Sequence, residues 1–243
     1  MNKGLLFTFE GIDYAGKSTV VKEITQKLQE QGHVVSKLRF YEPGGTPYAD
    51  LLRMFIKKTH DTSFAQTYGS HLKDTVSDTE MSPLGQALSF FCAREHQFYT
   101  KIRSEIEEGK IVLLDRSVDS TAVYQGHAQN PGLLSWIRET NALILSQANL
   151  HITQTYLIHI SMDERKKRME SRGIEQADRF ESQGDIFAEK IQQGYVAEKN
   201  HYDSLPNTHP QYQRIHMING EQSISGVVDE VYAHMMRCLE KQK

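Results

Sequence analysis

Residues 11–19 read Gly11-Ile12-Asp13-Tyr14-Ala15-Gly16-Lys17-Ser18-Thr19, a G-x-x-x-x-G-K-S pattern. It follows the apolar run Leu5-Leu6-Phe7-Thr8-Phe9 and precedes a helix-forming stretch, the context such a loop requires. Few folds accommodate a strand that turns through two glycines directly into a helix. Gly11 and Gly16 let the backbone curl with its N–H groups inward, which makes a nest for phosphate oxygens at a helix N-terminus. Lys17 adds a mobile positive charge for β- and γ-phosphates, and the Ser18 hydroxyl is suited to ligate an accompanying Mg²⁺. A glycine turn beside a surface lysine is the plainer alternative. The spacing, the Ser18-Thr19 pair and the flanking elements favour the phosphate loop, so the pattern predicts binding of a nucleoside triphosphate.

A chain of 243 residues suits one α/β domain, with room for an insertion. The net charge of −3 argues against nonspecific nucleic-acid binding and against a basic membrane-binding face. Cys92 and Cys238 are too few for a disulfide framework or a cysteine zinc site. The 11 histidines are scattered without a metal-ligand spacing. The start Met1-Asn2-Lys3-Gly4 lacks a signal-peptide core, and no apolar run reaches transmembrane length, so a soluble, cytoplasmic setting is expected.

Strand and helix patterns alternate. Val20–Gln31 carries Val21, Ile24 and Leu28 at helical spacing and stops at Gly32; Val34–Phe40 alternates as a strand. Thr46-Pro47 reads as a cap and first helical residue of a helix over Tyr48–Lys57. Residues 58–81 are polar without a sustained period and read as an insertion or mobile loop. Ser82-Pro83 opens a long helix with Leu84, Leu88, Phe91, Phe98, Ile102 and Ile106 as its apolar stripe. Strands are expected at Lys110–Leu114, Gln154–Ile160 and Gln211–Met217, and helices at Leu133–Ala148, Met162–Ser171, Asp185–Tyr202 and Gln222–Leu239. Arg172–Gly184 reads as a charged loop. This order predicts a mainly parallel sheet of about five strands, helices on both faces, and ligands at the carboxyl ends of the strands.

Ile111-Val112-Leu113-Leu114-Asp115-Arg116 is an apolar strand ending in a carboxylate and a guanidinium. Asp115 is placed to hold a Mg²⁺ shell and Arg116 to reach a phosphoryl oxygen. A surface ion pair after a core strand is the alternative. No N-K-x-D guanine-reading motif follows. Two phosphate-reading stations without a guanine reader suggest a phosphoryl donor and a phosphorylated acceptor.

The run from Asp115 to Gly126, Asp-Arg-Ser-Val-Asp-Ser-Thr-Ala-Val-Tyr-Gln-Gly, resembles the D-R-[YFH]-x-x-S-x-x-A-Y-Q-G signature of thymidylate kinases. Phe9-Glu10-Gly11-Ile12-Asp13, Glu42-Pro43-Gly44-Gly45-Thr46-Pro47, Phe90-Phe91-Cys92-Ala93-Arg94 and Ser171-Arg172-Gly173 continue the resemblance through most of the chain. It implies a three-layer P-loop α/β fold with a short lid over 165–184. It also implies transfer of the ATP γ-phosphoryl to dTMP with Mg²⁺ bridging the donor phosphates, and a homodimer through helices near 48–57 and 82–106. On that resemblance Phe90 stacks on thymine and Arg94 donates to a base carbonyl. The two are i and i+4 on one helix and project side by side. Ser120 and Thr121 face other polar atoms of the base, Tyr124 packs on the sugar, and Gln125 lines the pocket. Asp13 and Glu42 lie near the acceptor, Arg53 and Arg116 hold its phosphate, and Ser18 with Asp115 serves the metal. Arg168 lies over adenine, Arg172 and Arg179 swing onto the transferring phosphoryl, and Asn219–Gln222 cradles the adenine.

The pattern is broken at Tyr14, where glycine or arginine is usual, at Tyr41, where arginine precedes Glu-Pro-Gly-Gly, and at Ser117, where an aromatic residue or histidine is usual. Tyr41 and Ser117 border the acceptor site. A kinase for another nucleotide or a deoxynucleoside therefore stays open, as does a P-loop regulatory ATPase.

Overall fold

Leu5–Glu10 forms β1, buried along its whole length, as a continuous apolar run in a central parallel strand should be. The computed structural model describes residues 3–38, 40–57, 81–172, 180 and 183–240. The sheet has five strands in the order β2-β3-β1-β4-β5. They are β2 (Phe40–Tyr41), β3 (Ile111–Asp115), β4 (Ile152–His159) and β5 (Ile215–Asn219) around β1, and every pairing is parallel. The register sets Phe9 beside both Asp115 and Tyr156, so the phosphate loop and the Asp115-Arg116 corner leave the sheet at the same edge.

Alternate residues of β1 enter opposite cores. Leu5, Phe7 and Phe9 pack with Ile24 and Leu28 of α1 (Lys17–Glu30) and with Val227 and Val231 of the C-terminal helix Ile224–Glu240. Leu6 joins Val112 and Leu114 under Phe91, Phe98, Ile102, Ile137 and Ile144. Helices thus cover both faces, as the alternation of patterns predicts. Local chemistry sets their starts. Thr46 Oγ1 accepts from Ala49 N–H at 3.1 Å, capping α2 (Pro47–Lys57). Ser82 Oγ accepts from Gly85 N–H at 3.1 Å, capping α3 (Pro83–Gln97). A wide π-type turn over Phe98–Ile102 carries α3 on into α4 (Arg103–Glu107).

Three expectations need correction. The strand expected at Val34–Phe40 shrinks to a bridge between Val35 and Ile111 plus the two residues of β2. Val34 and Leu38 face outward, so this edge segment buries too little to order a full strand. Leu84 and Leu88, read as core, are 43% and 48% exposed, because Ala87, Phe91, Arg94 and Phe98 turn inward instead. The last strand begins at Ile215 rather than Gln211. Arg214 is drawn into the interior by Asp119, and Gln213 takes a left-handed conformation before it. After Asp115-Arg116, where the sequence patterns assign no element, the chain forms a short helix, α5 (Val118–Thr121), that runs into a π-helical stretch over Ala122–Gln129. The remaining helices are α6 (Leu134–Gln147), α7 (Met162–Arg172), α8 (Gly184–Asp203) and α9 (Ile224–Glu240). The expected insertion over 58–81 lies, except for Met81, outside the described residues. So do residues 173–179 and 181–182 of the expected lid.

Candidate active site

The phosphate loop has the geometry its sequence predicts. Gly11 sits at φ 141°, and a Cβ there would meet the carbonyl oxygen of Ile158 at 2.4 Å, so only glycine fits. Gly16, at φ 93°, caps α1 without a side-chain hydrogen bond, which leaves the helix N-terminal N–H groups for an anion. Lys17 Nζ is held by the carbonyls of Gly11 (3.0 Å) and Ile12 (2.9 Å). Burial, then the nearby Arg116, lowers the Lys17 ammonium to about 8. That is a cation short of anionic partners. Ser18 donates to Asp115 Oδ2 at 2.5 Å, so the two hard oxygen donors expected to serve Mg²⁺ stand together. Among the described residues no group of three or more His, Cys, Asp or Glu side chains forms a metal cluster. Thr19 is exposed on the first turn of α1.

Arg116 is the hub of a polar cluster beside the phosphate loop. It adopts φ 66°, a left-handed conformation costing a non-glycine residue roughly 1 kcal/mol or more. The turn aims its guanidinium back over the loop. Nη1 donates to Gly11 O (3.1 Å), Ser120 Oγ (3.3 Å) and Tyr195 OH (2.9 Å), and Nη2 to Asp13 Oδ1 (2.5 Å). Beneath it Glu10, fully buried, accepts from the Ser117 N–H (2.7 Å), Ser120 Oγ (2.7 Å) and Tyr195 OH (2.9 Å). The two hydroxyls that bind Glu10 also bind Arg116, so the carboxyl orients the guanidinium through them. Sequence reasoning assigned Glu10 and Tyr195 no role. An acidic residue closing an apolar strand just before the loop was the available signal for the first. Tyr195 lies on α8, 185 residues from Glu10, and its sequence carried none.

Burial, reinforced by the charge of Asp119, pushes the Glu10 carboxyl up from 4.5 to about 7 against the pull of Arg116. A folded value above the unfolded one means the native state binds more protons. The contribution of Glu10 to stability is then fully present below pH 4.5 and is lost as the pH rises toward about 7. Relative to Glu10→Gln, wild-type stability should fall across that window in paired denaturation curves. A difference that stays constant with pH contradicts the assignment.

Asp13, Glu42, Phe90, Arg94, Arg116, Ser120, Tyr124 and Gln125 line one cavity, together with Pro43 and Phe180. Eight of the ten acceptor-side expectations therefore converge on one cavity. Thr121 lies behind it, its hydroxyl accepting from Arg94 Nη2 at 2.8 Å. Arg53 stands at the rim, donating to Pro43 O at 2.9 Å with its guanidinium 5.3 Å from the Tyr41 ring. Tyr41 OH in turn donates to Asp50 Oδ1 at 3.0 Å, so the departure at this position supplies a platform for Arg53.

Arg94 is more committed to the protein than expected. It is 1% exposed and grips Glu42 through Nε (2.9 Å) and Nη2 (2.6 Å), and Asn141 Oδ1 through Nη1 (2.6 Å). Burial raises the Glu42 carboxyl, and Arg94 opposes this. A guanidinium has two N–H groups on Nη1, and only one is used among the described residues. Gln125 donates to Gln86 Oε1 at 3.1 Å and leaves its own buried Oε1 without a partner there. Among the described residues, Arg94 and Gln125, both residues of the cavity lining, thus keep one donor and one acceptor without a partner. Phe180, unmarked in the sequence, closes it edge-on to Tyr124 at 5.4 Å.

On the donor side Arg168 lies across the loop. It donates to Ala15 O (3.1 Å), Tyr14 O (3.4 Å) and Gly220 O (2.7 Å), and pairs with Glu164 at 2.8 Å. This joins the phosphate loop to the turn after β5. Tyr14 itself takes a left-handed φ of 68°. The backbone of Arg172 ends α7. Its side chain, like Gly173 and Arg179, lies outside the described residues.

A phosphate loop at the centre of a parallel sheet, joined through Asp13 to an arginine-bearing pocket, defines a P-loop phosphotransferase. The sequence model described as thymidylate kinase matches residues 9–67 and 61–231. A thymidylate kinase of Thermoanaerobacter sp. is 34% identical over 196 residues, covering 80% of this chain and 83% of that protein. One from Chlorobium chlorochromatii is 31% identical over 201 residues (79% and 80%), and one from Psychrobacter sp. is 29% identical over 232 residues (96% and 97%). The chain belongs to the thymidylate kinase family. Among the described residues no helix is long and apolar enough to cross a membrane.

Proposed function

We propose that this chain transfers the γ-phosphoryl group of ATP to the phosphate of dTMP, giving dTDP and ADP, in the cytoplasm. The observation that carries the reading is the shared cavity. Phe90, Arg94, Gln125 and Arg116 line it together, and Asp13 belongs to both the cavity and the phosphate loop. An acceptor seated there has its phosphate directed toward the donor loop. Family membership supports the choice of thymidylate as acceptor.

Each residue then has a task. Loop N–H groups and Lys17 hold the β- and γ-phosphates, and Arg168 and the Gly220 turn border the adenine. Ser18 and Asp115 would hold Mg²⁺, which supplies charge neutralisation between the donor phosphates when bound. Arg116 and Arg53 fix the acceptor phosphate in line, with Glu10 and Tyr195 fixing Arg116. Phe90 stacks on the base and Tyr124 packs on the sugar. The spare Arg94 N–H meets the thymine 4-carbonyl, and the unpaired Gln125 oxygen meets the N3–H. Residues 165–184 serve as the lid of a single kinase domain, and 58–81 as an insertion. The two matched stretches of the family model overlap at 61–67, inside that segment.

A cytosine base turns an amino group toward Arg94 and a bare nitrogen toward Gln125, leaving a buried donor and a buried acceptor unmatched. Such mismatches in a hydrogen-bonding site discriminate by roughly 10⁴ or more. The test is kcat/KM for dTMP, dUMP, dCMP and purine monophosphates. dTMP should lead and dUMP follow; comparable values for dCMP and dTMP overturn the assignment.

The exposed Leu84, Leu88 and Tyr99 of the α3 helix and its extension, with Tyr48 of α2 beside them, supply an apolar face for a homodimer. Light scattering at micromolar concentration should give twice the 27.9 kDa chain mass. A single-chain mass removes this part of the reading.

A further inference from the structure

Four cationic side chains are buried among the described residues: Lys17, Arg94, Arg165 and Arg214. Lys17 is held by two loop carbonyls, Arg94 by Glu42 and Asn141, and Arg214 by both oxygens of the buried Asp119. Arg165 differs. It is 4% exposed, yet its one ion pair among the described residues joins Nη1 to Asp185 Oδ1 at 3.1 Å. Asp185 is half exposed and shared with Lys166. Among the described residues the buried Arg165 Nε has no acceptor. Arg214 Nε also lacks one, but that side chain has a bidentate carboxylate and the Tyr202 ring at 4.2 Å. A buried guanidinium whose one carboxylate partner among the described residues is half exposed is costly, and an arriving anion offsets that cost.

The position of Arg165 says which anion. It projects from α7 one turn before Arg168, with its guanidinium 5.8 Å from the ring of Tyr14 in the phosphate loop. It lines a small cavity with Ile12, Asp13, Tyr124 and Phe180, between the loop and α8. The Asp13 carboxylate on that wall is engaged by Arg116 and by the Tyr124 hydroxyl.

We propose that Arg165 is a further phosphate-contacting residue, its guanidinium directed at the terminal phosphoryl group of the bound nucleoside triphosphate. The inference rests on the kinase reading above and deepens it. Tyr14 brings no charge to the loop, and Arg165 of α7, packed against the Tyr14 ring, supplies one. As the acceptor phosphate oxygen forms its bond to phosphorus, the bond to the ADP oxygen breaks, and charge spreads over the oxygens Arg165 faces. It neither gives nor takes a proton.

Calorimetry on the full chain with Mg²⁺ tests this, using ADP and the non-hydrolysable adenylyl imidodiphosphate as probes. Arg165→Gln should weaken the triphosphate analogue about tenfold or more, as loss of a charged hydrogen bond does, while ADP affinity barely changes. Turnover should fall in step, and Arg165→Lys should recover part of both. Equal losses for the two probes, no loss for either, or unfolding of both variants overturns the proposal. Neither probe needs an acceptor, so a wild type that binds both but fails to phosphorylate dTMP overturns only the reading of the acceptor pocket.

Discussion

Lys17→Ala lowers kcat for phosphoryl transfer by roughly 10²–10³-fold and leaves the protein folded, because the residue's charge serves a bound phosphate rather than the core. The wild-type ammonium is buried against two carbonyls and is lowered to about 8, chiefly by that burial. The fold therefore disfavours the charge it keeps, and removing it relieves the native state. In the proposed role, nucleotide phosphates supply the missing partner, which concentrates the effect in the transition state. Steady-state kinetics with a parallel melting curve measure both halves. Near-normal turnover, or a collapse of the melting temperature, contradicts the role.

Arg172→Ala lowers kcat by roughly 10³-fold or more and changes the KM for dTMP little, the signature of a charge contact made in the transition state. Tyr14 carries no positive charge. Phosphoryl transfer spreads negative charge over the equatorial oxygens, and the loop position that would answer it carries a phenol. The end of α7 is the next source, and Arg172 stands there beside Gly173, a residue that tolerates the backbone rotation a closing segment needs. Arg168→Ala should act differently, raising the KM for ATP, since its contacts are to the loop and to Gly220. If Arg172→Ala and Arg179→Ala both keep wild-type kcat at saturating ATP, neither residue supplies the charge.

Much of this site was legible because its residues sit at chain positions that chemistry constrains. The Gly11 backbone leaves no room for a Cβ, and the apolar run that becomes β3 must end where Asp115 and Arg116 reach solvent. Phe90 and Arg94 share one helical flank. What escaped was set by tertiary packing. Glu10 gains its role from Tyr195 and Ser120, which only the folded chain brings to it. Arg94 fits the base-reading pattern, but the sequence does not reveal that Glu42 and Asn141 claim most of its hydrogens. Leu84 and Leu88 satisfy a helical stripe equally well whether a sheet or a second chain covers it. The strand at 34–40 alternated correctly, yet an edge segment paired on one side held only a bridge and two residues.

The most direct test of the central claim is acceptor-dependent ATP consumption, followed with product identification, for dTMP, thymidine and no acceptor. Arg116 and Arg53 are assigned to a phosphate, so only dTMP should accelerate ATP loss, with dTDP and ADP formed one to one. Slow hydrolysis indifferent to the acceptor makes the chain a regulatory ATPase, and phosphorylation of thymidine as fast as dTMP makes it a nucleoside kinase; either result contradicts the account.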